Sequence, residues 1–195
     1  MRILYIISLV LLHSFFLAQT NDSVSLNSSC SHQSFYNFND GEIANVDNTN
    51  WDLAFSSGGY GSAIRINSQA GVELYVYPNG DINDWNSVDI TNISNWPSII
   101  NSDTTWTIGA FNASSDPNNP LDLGWGVYST TTHHITGDSL HIIKLSNGDY
   151  KKLHMIKLSS GNYEFKYANI DGTNEVATSV SKSNYTSKNF GYYSI

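Results

Sequence analysis

Charge and cysteine are what this sequence has least of. Charged residues make up 13% of it, and Cys30 is its one cysteine. A single cysteine excludes an internal disulfide, so any stable fold must be held by its hydrophobic core alone. It also excludes cysteine-rich zinc ligation. Nine Lys and Arg stand against 17 Asp and Glu, a formal net charge of −8. That balance lacks the basic footprint a nucleic-acid partner requires. Arg65 is the only basic residue between Thr20 and Ile143, whereas seven lysines lie between Lys144 and Lys188. The last third is therefore mildly cationic and the rest acidic. No stretch shows helical periodicity for more than two turns. After residue 17 no apolar run approaches the length of a membrane span.

In place of charge the chain has aromatics (13%), glycine, and many Asn, Ser and Thr. This mixture suits an all-β extracellular domain. Residues 1–19 read separately, as a secretory signal. Arg2 is a minimal charged start, Ile3–Leu17 is largely apolar, and cleavage is expected near Gln19–Thr20. Residues 20–34 read as a flexible lead-in, and 35–195 as a single, mostly antiparallel β domain, secreted or held at the cell surface.

Within that domain the stretch Trp51–Gly71 is central. It reads as two strands, Trp51–Phe55 and Ser62–Asn67, joined by a turn containing Gly58, Gly59 and Gly61. In the second strand Ile64 and Ile66 alternate with Ala63, Arg65 and Asn67, the pattern of a half-buried strand. A hairpin is expected around Asp40-Gly41, then strands at Glu73–Tyr77, Thr105–Phe111 and Leu123–Tyr128. Asp81–Trp96 reads as an ordered loop and Asn112–Pro120 as another. Leu140–Leu145, Tyr150–Leu158 and Tyr163–Ile170, separated by short glycine-containing connections, predict an antiparallel meander. Phe190–Tyr193 predicts a final strand.

Three motifs suggest chemistry. Gly137-Asp138-Ser139-Leu140 spells the signature of GDSL esterases. A serine nucleophile needs a histidine oriented by a carboxylate, normally from a distant part of the chain. The local Asp138 and His141 overlap the tetrapeptide at a strand start, so a turn is expected and no enzyme. Asp81, Asn83, Asp84 and Asp89 approximate a calcium loop, but Trp85, Asn86 and Asn92 stand where oxygen ligands and a glycine are needed. The remaining resource is histidine. His133 and His134 lie in a Thr-rich loop, and His141 and His154 on neighbouring strands.

The segments Trp51-Asp52-Leu53-Ala54-Phe55 and Ile64-Arg65-Ile66-Asn67-Ser68, with Gly124-Trp125-Gly126-Val127-Tyr128, carry a resemblance to a known family. So do Tyr150-Lys151-Lys152-Leu153 and Tyr163-Glu164-Phe165-Lys166-Tyr167. The chain resembles the HmuY-like haem-binding proteins of Bacteroidetes-type bacteria over about Phe35 to Tyr193. The resemblance implies a mainly antiparallel β fold that grips haem through paired axial side chains at strand or loop tips. It also implies a role in iron acquisition, with a haem-carrying protein or an outer-membrane receptor as partner. The family's axial histidines do not map by motif onto histidines here, and no lipidation cysteine follows the leader. On this resemblance His134 and His133 become the expected iron ligands, His134 favoured for its apolar neighbour Ile135. Tyr128 is expected against the macrocycle, Lys144 and Lys151 near the propionates, and His141, His154 and Met155 in reserve. Binding through a neutral imidazole weakens as pH falls through its unperturbed pKa, about 6.5. A rival reading is an adhesion or glycan-binding module, with Trp85, Trp96, Trp106 and Trp125 stacking on sugar rings. In that reading Trp106 and Trp125, taken as strand residues, are expected in the core instead.

Overall fold

A computed structural model describes residues 21–195, so the leader read over 1–19 lies outside the described residues. Those residues form twelve strands and six short 3-10 turns, with no α-helix among them. No helix among them is long and apolar enough to cross a membrane. The strands are β1 (His32–Asn37), β2 (Gly41–Asp47), β3 (Leu53–Ser56), β4 (Ile64–Ile66), β5 (Glu73–Val76) and β6 (Gly126–Tyr128). They continue with β7 (Ile135–Gly137), β8 (Leu140–Lys144), β9 (Tyr150–Ser159), β10 (Asn162–Asn169), β11 (Val176–Ser181) and β12 (Phe190–Tyr193). Every pairing between strands is antiparallel. The fold is all-β, as the alternation and turn chemistry predict.

The strands form three sheets. β1 and β2 make a separate hairpin, β12-β3-β4 a three-stranded sheet, and the other seven strands the main sheet. The meander β8-β9-β10 is present as expected, and β11 (Val176–Ser181) extends it on the far side of β10. The long strand β9 is shared end to end along one edge. Its first half pairs β8, and its second half pairs β7 at Ile135↔Leu158 and Thr136↔Lys157.

One face of the main sheet packs on the three-stranded sheet. Leu53, Phe55, Ile64 and Ile66 meet Ile143, Leu153, Met155, Tyr163 and Phe165 in one core. Phe55 stacks on Phe165 with ring centroids 5.1 Å apart and lies 5.0 Å from Tyr163. The opposite face carries a second core, Tyr75, Tyr77, Trp85, Leu140, Ile142 and Ala168, covered by the ordered loop Asp81–Trp96. Its carboxylates are occupied locally. Asp81 and Asp84 cap the turn Ile82–Asp84, and Asp89 accepts from Thr91. Trp85 is gripped from the sheet: Lys152 Nζ donates to its carbonyl at 2.6 Å, and Lys166 Nζ lies 4.0 Å from its ring.

Several expectations are corrected. Thr105–Phe111 is not a strand but a loop that ends in the 3-10 turn Ala110–Asn112. The reason lies in β4, whose outer edge is closed by side chains. Asn101 Oδ1 accepts from Ile66 N, Asn101 Nδ2 donates to Ile66 O, and Asn112 Oδ1 accepts from Ile64 N. These amides replace the ladder a neighbouring strand would supply. Within β4 the alternation holds, with Ile64 and Ile66 buried and Arg65 part-exposed, while Ala63 and Asn67 just outside the strand are buried as well. Leu123–Tyr128 shortens to Gly126–Tyr128, with Gly124 at φ 85 before it. Residues 20–34 include a 3-10 turn at Ser28–Cys30 and the first residues of β1.

The Gly-Asp-Ser-Leu tetrapeptide is the corner between β7 and β8. A Cβ on Gly137 would lie 1.6 Å from Met155 O, so only glycine lets β7 approach β9 here. Ser139 Oγ donates to Gly124 O at 3.2 Å, while His141 lies in the main core 4.7 Å from Phe111. Gly137→Ala is expected to destabilise the domain by about 1–3 kcal/mol in urea unfolding.

His141 is fully buried, and neither ring nitrogen has a hydrogen-bond partner among the described residues. Burial, aided by nearby His154, holds its pKa down at about 3. The unfolded chain takes up this proton near pH 6.5 and the folded state does not. Stability is therefore full above about 6.5 and is lost as pH falls towards 3. Between pH 7 and pH 5 the loss from this one group should be about 2 kcal/mol, most of which should vanish in His141→Phe. Urea midpoints measured across that range check it.

Candidate functional site

The turn between β3 and β4 is glycine-rich, yet it is tied down from three directions. Tyr163 Oη donates to Ser56 O and Gly61 O, both at 3.1 Å, and Trp125 Nε1 donates to Ser62 O at 3.2 Å. Lys182 Nζ sits among the carbonyls of Gly58, Gly59 and Gly61 at 2.9, 3.1 and 2.5 Å. Burial pushes the Tyr163 hydroxyl up and the Lys182 ammonium down from their ordinary values.

Beside this turn lies a cleft of about 490 Å³. Leu123, Ile135 and Leu158 supply its apolar wall, and Tyr128, His133 and Lys182 its polar groups. Tyr128 ends β6 and His133 follows in the connection to β7, whose register places Tyr128 opposite Ile135. The connection turns back sharply. His133 N donates to Ser129 O at 2.8 Å, and His133 takes a positive φ of 56. That reversal brings its imidazole against Tyr128, with Oη and Nδ1 sharing a hydrogen bond of 2.8 Å.

The residues singled out from sequence are thus divided. Tyr128 and His133 come together at the cleft. His134 faces Ser159, with Nε2 and Oγ 3.0 Å apart, and is absent from the cleft lining. Lys144 is paired with Glu73 at 2.8 Å and Lys151 is bonded to Asn169, both outside the cleft. The cation at this cleft is Lys182, which sequence reasoning passed over because it follows a strand, β11, that was not anticipated. His141 and Met155 are core residues, and His154 is half-buried on β9. No cluster of three or more His, Cys, Asp or Glu is placed to hold a metal ion among the described residues.

The tryptophans also divide. Trp125 is fully buried, Trp85 is buried in the second core, and Trp96 packs at its rim against Tyr77. Trp106, expected in a strand and in the core, is instead 69% exposed. Its loop is held by Arg65, which donates to the carbonyls of Ser102, Thr105 and Ile108 at 3.0–3.2 Å.

Compared with family models, curated proteins and solved structures, the chain matches none.

Arg65→Ala should release the 101–108 loop. The expected loss is about 1.5–3 kcal/mol for a charged donor's hydrogen bonds. Faster limited proteolysis within the loop, with the rest of the domain still resistant, is the measurement that checks it.

Proposed function

We propose that this is a non-catalytic haem-binding domain, secreted or surface-held, that takes haem at the Tyr128–His133 cleft for iron acquisition. The observation that carries the reading is the hydrogen bond between Tyr128 Oη and His133 Nδ1. Imidazoles that ligate a metal commonly engage a partner through the other ring nitrogen, which sets tautomer and orientation. In the tautomer in which His133 Nδ1–H donates to Tyr128 Oη, the Nε2 lone pair is available to a metal. Haem supplies an iron that accepts a neutral imidazole, together with a large apolar face and anionic propionates. Leu123, Ile135 and Leu158 match the apolar face, and Lys182 offers positive charge at the same cleft. The resemblance to HmuY-like proteins supports the same reading, with a haem-carrying protein or an outer-membrane receptor as partner. Within it, iron ligation passes from the pair His134 and His133 to His133, with Tyr128 as its positioning partner.

A haemin titration of residues 20–195 followed at the Soret band tests this. A saturable band is expected, lost in His133→Ala and unchanged in His134→Ala. Tyr128→Phe should weaken binding by about 10–100-fold. A band that persists in His133→Ala, or no saturable band at all, overturns the proposal.

A further inference from the structure

A second feature, on the outer face of the three-stranded sheet, shares no lining residue with the haem cleft. Strand alternation sends Tyr193 towards the core and turns Phe190 and Tyr192 outwards on β12. Two rings from outside the sheet join them. Trp51 lies 5.0 Å from Tyr192, and Trp106 lies 6.1 Å from Phe190. The result is a row of two ring pairs, spaced by the two-residue repeat of the strand, about 7 Å. Adjoining grooves of about 640 and 770 Å³ run along this row.

Two properties distinguish the row from incidental surface aromatics. The first is rigidity. Trp106 is 69% exposed, yet the Arg65 guanidinium lies 4.8 Å from its ring, and the same Arg65 clamps its loop through three carbonyls. A large ring held still in water loses little further entropy on contact with a ligand. The second is the polar rim. Gln33, Gln69, Asp103, Lys188 and Asn189 line the grooves, and their side chains make no hydrogen bonds among the described residues. The amides can each donate and accept. The one carboxylate and one ammonium among these five offset each other.

Flat rings beside uncommitted amides, in a lining whose formal charges are Asp103, Lys188 and an Arg65 already committed to backbone carbonyls, match a ligand that has an apolar C–H face and equatorial hydroxyls. They do not match a polyanion, which calls for clustered cations, or a lipid, which needs no amides. We propose that this groove binds a neutral oligosaccharide of more than one sugar residue, with Trp106 and Tyr192 as its stacking platforms. Of the four tryptophans considered from sequence, only Trp106 belongs to this site. Trp51, Phe190 and Tyr192 complete it.

Affinity electrophoresis of residues 20–195 in gels containing soluble β-1,3-glucan, xylan, mannan or starch tests the proposal, with anionic alginate for comparison. Retardation by at least one neutral polysaccharide is expected, weakened about tenfold or more in Trp106→Ala and in Tyr192→Ala. Trp106→Phe should recover part of it. Because Trp106 is 69% exposed, its removal should lower the urea midpoint far less than Gly137→Ala does, which separates lost binding from lost folding. The Soret response to haemin should also persist in Trp106→Ala, so either proposal can fail without the other. Retardation by none of the neutral polysaccharides, by alginate alone, or equally in Trp106→Ala overturns the inference. Concentration-dependent self-association that Trp106→Ala abolishes overturns it too, in favour of a second copy on the groove.

Discussion

The contact that everything else leans on is Phe55 against the β10 aromatics. Phe55 is the one ring of β3 that reaches across the interface to both Phe165 and Tyr163. With Leu53, Ile64 and Ile66 it covers the inner face of the three-stranded sheet, and short β sheets need a covered face to be stable. Tyr163 then does two jobs from one position. Its ring fills the interface, and its hydroxyl reaches the backbone of the glycine-rich turn. Core packing and turn geometry are therefore set by one side chain. The turn, flexible by composition, stands as a fixed wall of the cleft at Tyr128 and His133.

A second device recurs at the sheet edge. β4 lacks a neighbouring strand on its outer side, and Asn101 and Asn112 supply amide hydrogen bonds in its place. The edge is thereby closed to pairing with another chain. The substitution also lets the 101–112 segment cross β4 instead of running alongside it. Gly109 makes the crossing close, because a Cβ there would lie 2.0 Å from Ile64 O. Arg65, on the same strand, holds the outer part of the segment by its carbonyls. The exposed Trp106 follows directly from this geometry. The outer part of the segment is held by polar contacts and leaves Trp106 exposed, while Ala110 and Phe111 at its end are fully buried in the core.

Buried polar groups mark where the two faces of the main sheet differ. On the β3–β4 side, His141 is enclosed without a partner and must stay neutral. On the other side Lys152 is equally buried but keeps a carbonyl acceptor and an aromatic ring, while burial lowers its pKa. An unpaired imidazole can shed its charge at neutral pH at small cost. A lysine cannot do so as readily, and its partners reflect that difference.

By itself the sequence determined the fold class, the β8–β9–β10 meander, the β1–β2 hairpin and the terminal aromatic strand. Each of these rests on local signals, alternation between turn residues, that do not depend on distant partners. It also singled out Tyr128 and His133 as candidates, though not as a pair. Their meeting requires the reversal at Ser129–His133, which no local pattern announces. His134 was preferred for its apolar neighbour, and β7 pairing on β9 turns it to Ser159 instead. Thr105–Phe111 reads as a strand because its residues favour one, yet its conformation is decided by Arg65 and two asparagines, and Arg65 and Asn101 contact it from outside its own span. Local propensity is a matter of fractions of a kcal/mol per residue. Backbone hydrogen bonds to a guanidinium and to buried amides outweigh it, and those contacts exist only once the tertiary structure has formed.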